Sequence, residues 1–294
     1  MITVTEAFRK FRSRLELTDR EQRDASRRQK EIRELLADNL ARADDFLSGS
    51  YARWTKTKPL KDVDIFYVLH EDERANYRTN QQPSKILTEV ERILAREYDQ
   101  KNVRRQRRSV SVEFPATGDD ERVVSFDVVP AFVKGDHYEI PDTSTVKGWT
   151  ETNPRIHAEK ATAANEAYDG EWKGMVRMVK RWNQEKGKPV RPSFLLEVMA
   201  LQLLRPPFNG NFPYEFMMFF ATAKTRILEE WADPAGLGPP VSDSMSVAER
   251  QKAAEALNAA ATAIRNAIQL GKNGQEGAAL KAYRELFGEL FPLS

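Results

Sequence analysis

Three aspartates have the residue type and the spacing of a metal site. Asp62 and Asp64 stand two positions apart in an apolar stretch, and Asp127 lies between Phe126 and Val128 in a second one. Side chains on a β-strand alternate between its faces, so Asp62 and Asp64 would point the same way. Carboxylates this close repel each other and need a cation between them. Oxygen ligands of this kind suit Mg²⁺ or Mn²⁺.

These carboxylates predict a particular chemistry if the two strands pair side by side. Three of them can hold two metal ions roughly 3.5–4 Å apart. One ion would activate an attacking hydroxyl group, and the other would neutralise a leaving pyrophosphate. Asp127 is the candidate ligand of the metal on the attacking hydroxyl, and its carboxylate is also an option as general base. The expected cofactor is two Mg²⁺ ions, with Mn²⁺ as an alternative.

A Gly-Ser pair, Gly49 and Ser50, precedes the paired aspartates at short range. Glycine lets the backbone approach a phosphate closely, and N–H groups and a serine hydroxyl can donate hydrogen bonds to its oxygens. Neither a lone Gly-Ser nor a lone Asp-x-Asp is specific, since both occur on solvated turns and strands. Their combination with a third aspartate in an apolar strand is stronger, because an unpaired buried carboxylate is costly.

Both helical and strand patterns occur among the elements that must position these residues. Apolar residues at helical spacing predict one or two amphipathic helices within residues 5–40 and another over 83–98. The segment FLSGSYAR predicts a short strand that runs into a Gly-Ser turn. Further strands are predicted over 63–69, 109–114 and 122–132, the last ended by Pro130.

After about residue 150 the pattern becomes helical. Helices are predicted at about 155–168, 171–186, 193–204, 214–231, 246–270 and 275–290, with Pro- and Gly-rich breaks between them. The expected fold class is therefore α+β. Residues 1–150 would form an N-terminal helix and a mixed-sheet core lobe, and residues 151–294 an all-helical lobe. The two lobes would face each other across a cleft, which is a usual place for a ligand.

Composition removes several competing kinds of chemistry. The 294 residues include no cysteine and three histidines, which excludes disulfides, iron–sulfur clusters and cysteine nucleophiles. With 46 basic and 44 acidic residues the net charge is +2, so a nucleic-acid partner is not required. The arginines between 104 and 108 are read as a solvated turn before a strand rather than a basic patch. No apolar run approaches the roughly 20 residues that span a bilayer, so we expect a cytoplasmic protein without membrane contact.

The segment GSYARWTKTKPLKDVDIFYVL resembles the G-S…D-x-D signature of the DNA polymerase beta-like nucleotidyltransferase superfamily. A finer resemblance is to the bacterial cGAS/DncV-like nucleotidyltransferases, also called the SMODS family. It rests on further motifs, namely FDVVPAF (126–132), NPRIHAEKATAAN (153–165), MVRMVKRWNQ (175–184) and PSFLLEVMA (192–200). Gly-Ser with D-x-D alone would indicate only the superfamily.

The resemblance implies synthesis of a cyclic di- or trinucleotide second messenger from nucleoside triphosphates, with release of pyrophosphate. In such systems, known as CBASS, the messenger activates an effector protein in antiphage defence. The resemblance also implies a polymerase beta-like lobe facing a helical lobe, with two Mg²⁺ ions on the three aspartates. A regulatory partner protein is a further option, because relatives differ in how they are switched on.

The resemblance also carries over three substrate-binding positions. Lys180 and Ser193 match a lysine and a serine that bind the triphosphate, and Phe194 matches a position where an aromatic ring often stacks on a base. An ammonium group is a suitable counter-charge for phosphates, and a serine at a helix N-terminus adds a hydroxyl to free N–H groups. The plainer alternatives are a surface lysine, a helix cap after Pro192 and a core phenylalanine.

Two other functions stay open. One is a different enzyme on the same scaffold, which would extend an RNA or tRNA 3′ end or modify a small-molecule hydroxyl such as that of an aminoglycoside. Tailing of RNA usually needs a large basic surface, and a net charge of +2 disfavours it. The other is a non-catalytic nucleotide-binding or antitoxin-like module. The presence of all three aspartates disfavours that reading.

Overall fold

The computed structural model of the protein describes residues 2–78, 82–116 and 119–294. Its helices are α1 (Val4–Arg14), α2 (Asp19–Ala37), α3 (Gly49–Ala52), α4 (Arg74–Tyr77), α5 (Pro83–Glu97), α6 (Pro154–Ala167), α7 (Trp172–Glu185), α8 (Ser193–Leu203), α9 (Phe212–Arg226), α10 (Val247–Lys272) and α11 (Glu276–Phe287). Its strands are β1 (Arg42–Ser48), β2 (Asp62–Leu69), β3 (Val103–Arg105), β4 (Val110–Ala116), β5 (Asp119–Lys134), β6 (His137–Pro141) and β7 (Trp149–Thr152).

The chain divides into two units. The mixed unit comprises Leu17–Trp54 and Pro59–Ala158, and the helical unit comprises Met1–Glu16, Thr55–Lys58 and Glu159–Ser294. The α+β fold class predicted from the sequence is confirmed, with a mixed sheet in one unit and helices in the other. Within the described residues, no helix combines the length and the apolar character needed to cross a membrane.

The sheet of the mixed unit has the strand order β1-β2-β5-β4-β3, and β6 and β7 continue from the end of β5. Strands β2 and β5 run parallel, whereas the other pairs are antiparallel. Every second residue of β2, beginning with Val63 and Ile65, packs into one core cluster with apolar residues of α2 and α5. This alternation leaves the intervening residues on the other face of the sheet.

The helical unit has a separate core rich in aromatic residues. Phe8 and Phe11 of α1 lie there, with ring centroids 5.1 and 5.3 Å from that of Phe291. The first helix therefore packs in the helical unit, whereas the predicted boundary at residue 150 assigned it to the core lobe. Its periodicity shows an apolar face, but periodicity does not identify the surface that covers that face.

Most predicted elements are present, and the helices after residue 150 match within a few residues, except that α9 ends at Arg226. The prediction that Pro130 ends its strand is wrong, because β5 continues to Lys134. The pairing of β4 with β5 reaches no further than Val110 opposite Val128. Pro130 therefore has a partner on one side only, where a missing N–H is tolerated. Strands β6 and β7 were not predicted, since HYEIP and WTET are short and polar.

Candidate active site

The pairing of β2 with β5 positions the three aspartates. Asp64 lies directly opposite Asp127 in this parallel register, and Asp62 lies opposite Ser125. Parallel neighbours on adjacent strands stand about 4.8 Å apart in the hydrogen-bonding direction. The intervening residues Val63 and Phe126 are buried in the core cluster on the other face. All three aspartates therefore belong to one face of the sheet, at two adjacent strands.

The three aspartates are also less enclosed than their neighbours on the other face. Asp62, Asp64 and Asp127 are half-buried, whereas Val63 and Phe126 are at most 1% exposed. A half-buried carboxylate keeps part of its hydration and can exchange water for a cation or a substrate oxygen. The aspartates are thus placed for ligand exchange, and their catalytic role stays a prediction.

Gly49 lies against this carboxylate face. Its φ is +64°, and a β-carbon built on it would lie 1.7 Å from Oδ2 of Asp64. No residue with a side chain could occupy this position without displacing the carboxylate. The predicted Gly-Ser turn is the start of the short helix α3, which holds Ser50 as its second, half-buried residue. The predicted Gly-Ser turn therefore lies beside Asp64, and its role in binding phosphate stays a prediction.

A polar group beside Asp127 was missed by the sequence analysis. The side-chain amide of Gln106 lies 3.5 Å from Oδ1 of Asp127, and the Ser109 hydroxyl donates to the Gln106 side-chain oxygen at 3.1 Å. Ser111 lies opposite Asp127 in the register of β4 with β5. Its hydroxyl is buried without a hydrogen-bond partner among the described residues. The alternation of serine and valine in SVSVEF could have predicted this, since it places the serines on the face away from the apolar core.

The donor set of this face suits a hard divalent cation. Carboxylate oxygens from two adjacent strands are the ligands that Mg²⁺ prefers, with water and substrate phosphates completing its shell. As the side chains stand, no three acidic or histidine side chains in the described ranges converge tightly enough to coordinate one ion. Residue types and strand register are compatible with such a cation, and Asp62, Asp64 and Asp127 stay the predicted ligands.

The predicted triphosphate ligand Lys180 lies in the helical unit and is 4% exposed. Its ammonium group donates to Oε1 of Glu197 at 2.5 Å. The hydroxyl of Thr55 donates to Oε2 of the same carboxylate at 2.8 Å. The plainer alternative of a surface lysine is therefore wrong. Glu197 was not singled out in the sequence, because nothing local indicates that α8 meets α7 at this residue.

Ser193 and Phe194 open helix α8. Ser193 is exposed and is the first helical residue, and Pro192 occupies the cap position. Phe194 is half-buried and packs against the core of the helical unit. Phe194 is therefore neither a fully buried core residue nor a fully exposed one. A role in binding the triphosphate or a base stays a prediction for both residues.

The arginines between positions 104 and 108 are engaged in local ion pairs. Arg104 pairs with Glu113 at 3.2 Å, and Arg108 pairs with Asp142 at 2.6 Å. Burial acts to raise the pKa of Asp142, but hydrogen bonds from Ser144 and Arg108 outweigh it and hold that pKa below its ordinary value. This pairing offsets much of the local positive charge, which agrees with a solvated turn rather than a nucleic-acid track.

The chain is similar in sequence to a known family and to named synthases. The family model described as the Second Messenger Oligonucleotide or Dinucleotide Synthetase domain matches residues 1–165. A probable cyclic nucleotide synthase of Bacillus cereus is 27% identical over 279 residues, which cover 83% of this chain and 81% of that protein. A cyclic AMP-AMP-AMP synthase of Acinetobacter is 28% identical over 268 residues, which cover 85% of this chain and 73% of that protein.

Solved structures show the same fold. CdnC of Escherichia coli MS115-1, solved with ATP, has a TM-score of 0.75 at 19% identity and covers 99% of each chain. The same protein solved in complex with HORMA-deltaN has a TM-score of 0.75 and covers 98% of each chain. The family match includes Gly49 and Ser50, which we call the Gly-Ser corner, and all three aspartates. The chain therefore belongs to the Second Messenger Oligonucleotide or Dinucleotide Synthetase family and is a nucleotidyltransferase that makes cyclic oligonucleotides from nucleoside triphosphates.

Proposed function

We propose that the transfer takes place on the sheet face that carries Asp62, Asp64 and Asp127, and that its product is a cyclic di- or trinucleotide messenger of antiphage (CBASS) signalling. One observation carries this proposal: Asp64 lies directly opposite Asp127 in the parallel pairing of β2 with β5, with Asp62 on the same face. Carboxylates on adjacent strands of one sheet face offer the oxygen ligands that a divalent cation prefers.

Each residue of the site has a role in this scheme. The three aspartates would hold two Mg²⁺ ions, which would help to activate the attacking hydroxyl and to neutralise charge on the leaving pyrophosphate. Gly49 leaves room for the Asp64 carboxylate and brings backbone close to it, and Ser50 is the adjacent phosphate donor.

On the helical unit, Lys180 is the counter-charge for the triphosphate and Ser193 contributes a hydroxyl. Phe194 presents a ring to a base. An aromatic ring can stack on any nucleobase, because every base has a π-face. Lys180, Ser193 and Phe194 would therefore recognise a nucleoside triphosphate by the charge of its phosphates and by the flat face of its base.

Two relatives support ATP as one of the substrates. CdnC of E. coli MS115-1 was solved with ATP, and the Acinetobacter relative is named a cyclic AMP-AMP-AMP synthase. The proposed reaction begins with attack of one nucleotide's hydroxyl on the α-phosphate of another, with loss of pyrophosphate. The linear product keeps a 5′-triphosphate, and its free hydroxyl then attacks its own α-phosphate to close the ring and release a second pyrophosphate.

The test is an assay of the purified chain with all four radiolabelled nucleoside triphosphates, Mg²⁺ or Mn²⁺, and no acceptor. We expect a small phosphatase-resistant product, identified by mass spectrometry, and a linear 5′-triphosphorylated intermediate in a short pulse. Product that forms only when RNA or an aminoglycoside is added would indicate a tailing or drug-modifying enzyme instead.

The proposed setting is the cytoplasm, where nucleoside triphosphates are abundant and a diffusible product can reach an effector protein. A regulatory partner is part of the proposal, since CdnC was solved in complex with HORMA-deltaN. Bacteria that carry the chain with its neighbouring genes should resist phage, and Asp64→Asn should remove that resistance. Unchanged resistance in this variant would contradict a defence role for the reaction.

A further inference from the structure

Glu197 forms a buried hydrogen-bonded bridge between two segments of the helical unit. Its Oε1 accepts from the Lys180 ammonium group on α7 at 2.5 Å, and its Oε2 accepts from the Thr55 hydroxyl at 2.8 Å. Thr55, Lys180 and Glu197 are each at most 4% exposed. The bridge therefore joins α7 and α8 to the segment Thr55–Lys58, which follows the Gly-Ser corner by a few residues in the chain.

The pair differs from the other ion pairs of α7. Arg177 pairs with Glu16, whose side chain is 53% exposed, and Arg181 pairs with Glu185, whose side chain is 30% exposed. The side chains of Lys180 and Glu197 are 5% and 3% exposed. Removing both charges from water carries a desolvation cost that an apolar pair of similar volume would avoid. Stability alone thus gives weak grounds for a charged pair at this place.

We propose that Glu197, itself held by Thr55, is a positioning residue that keeps the Lys180 ammonium charged and oriented toward the phosphates of the bound nucleotide. This inference rests on the proposed function, in which Lys180 binds the triphosphate. A nearby carboxylate favours the protonated form of a buried lysine, which burial alone would disfavour. A lysine has three N–H donors, so it can donate to Glu197 and to a phosphate together.

The bridge also gives the segment Thr55–Lys58 a function. Arg181 of α7 donates to the backbone oxygen of Lys58 at 3.3 Å, and Glu197 of α8 accepts from Thr55, so the two helices hold opposite ends of this segment. The Gly-Ser corner and Lys180 lie 130 positions apart in the chain. Thr55 connects the segment Thr55–Lys58 to Lys180, because both residues donate to the carboxylate of Glu197.

The experiment measures KM for ATP, kcat, and the inhibition constant of inorganic triphosphate, which carries the phosphates without a base. Glu197→Gln keeps the shape and removes the charge. We expect it to raise KM and the inhibition constant by about tenfold or more, which is the scale of one lost hydrogen bond to a charged group. The value of kcat should change much less. Thr55→Val should raise both constants by a smaller factor, and Glu197→Asp should restore part of the wild-type affinity.

The matched control is Glu16→Gln, which neutralises one ion-pair partner of Arg177, a residue on the same helix as Lys180, and leaves Lys180 itself unchanged. KM and inhibition constants that stay at wild-type values in both Glu197→Gln and Thr55→Val would overturn the inference, as would an equal rise in Glu16→Gln. If Glu197→Gln fails to fold, Glu197→Asp and Thr55→Val carry the test.

Lys180→Met separates the two levels of the proposal. A weaker inhibition by triphosphate in Lys180→Met, with no change in Glu197→Gln, contradicts only the positioning role. Wild-type inhibition in Lys180→Met contradicts the triphosphate role of the lysine, and the positioning role falls with it.

Discussion

The backbone of Gly49 lies so close to Asp64 that a β-carbon on the glycine would stand 1.7 Å from Oδ2 of that carboxylate. The glycine also has a φ of +64°, a conformation that other residues adopt at a cost of about 1–2 kcal/mol. Two separate reasons therefore restrict this position to glycine. Only the close contact involves Asp64, so the two reasons can be separated by experiment.

We expect Gly49→Ala to lose activity far beyond its effect on stability. The added methyl group must displace the Asp64 carboxylate, because atoms cannot approach to 1.7 Å. The control is Gly135→Ala, where φ is +63° and, apart from the adjoining residues, no atom of the described ranges lies within 4 Å of the added carbon. Both variants should lose about 1 kcal/mol of stability in urea unfolding, and only Gly49→Ala should lose synthesis. Equal activity in the two variants would show that the contact with Asp64 has no part in the reaction.

A second prediction concerns the aspartates themselves. Asp64→Asn and Asp127→Asn should each lower kcat by about 10²–10³-fold, the scale of several kcal/mol of lost charge stabilisation. The measurement is product formation from labelled ATP, with circular dichroism to confirm folding. Asp136→Asn is the control, because its side chain is fully exposed in the same unit. Full activity in Asp64→Asn would mean that the metal site is wrongly assigned.

The sequence predicted which aspartates share a sheet face because strand alternation is a local pattern. Strand alternation placed Asp62 and Asp64 together, and the observed register adds Asp127. Residues that meet through tertiary pairing were missed, notably Gln106 beside Asp127 and Glu197 beside Lys180. Register and helix contacts depend on how distant segments pack, and no local periodicity encodes them.

The position of the first helix is a similar case. Its apolar stripe was evident, but Phe8 packs with Phe212 and Phe291 from the far end of the chain. Any sufficiently large apolar surface could have covered that stripe. Only the structure shows that the core of the helical unit does so.

A third prediction separates metal binding from catalysis. Mg²⁺ or Mn²⁺ should raise the melting temperature of the wild-type chain, because a ligand that binds only the folded state stabilises it. The rise should be absent or much smaller in Asp64→Asn, since one carboxylate of the acidic face is then neutral. Thermal unfolding is recorded with increasing MgCl₂, with NaCl at equal ionic strength as the control. An identical rise in both proteins would place the cation elsewhere.

A fourth prediction concerns stability in acid. Glu139 of β6 is buried and accepts hydrogen bonds from Arg74 at 2.7 Å and Arg78 at 2.8 Å. Burial acts to raise the pKa of Glu139, but the hydrogen bonds of the two arginines outweigh it and hold that pKa below its ordinary value of 4.5. Since the folded pKa is below the unfolded one, the stabilisation is complete above pH 4.5 and is lost as pH falls through the lowered pKa.

Glu139→Gln should therefore be less stable than wild type at pH 7 by about 1–3 kcal/mol, and this difference should shrink as pH falls below 4.5. Urea unfolding at several pH values measures it. Glu71→Gln is the control, because Glu71 pairs with the same Arg74 but is 66% exposed, and an exposed pair contributes about 0–1 kcal/mol. A difference that is the same at pH 3 and pH 7 would contradict the assigned protonation.

The last prediction separates recognition of the base from recognition of the phosphates. Phe194 is half-buried at the start of α8, and its ring packs partly against the helical core. Stacking of an aromatic ring on a base contributes about 1–3 kcal/mol. Phe194→Leu keeps an apolar side chain for the core and removes the flat ring. KM for ATP should rise by about tenfold, while the inhibition constant of inorganic triphosphate should stay at its wild-type value.

This combination differs from what we expect for Glu197→Gln, in which KM for ATP and the inhibition constant of triphosphate should both rise. The control is Phe208→Leu, the same substitution at another half-buried ring that packs against the same core. Both leucine variants should lose similar stability, since both lose similar ring contacts. A rise in KM in Phe208→Leu as large as that in Phe194→Leu would trace the effect to the core of the helical unit. A rise confined to Phe194→Leu, with triphosphate inhibition unchanged, would assign the ring to the base.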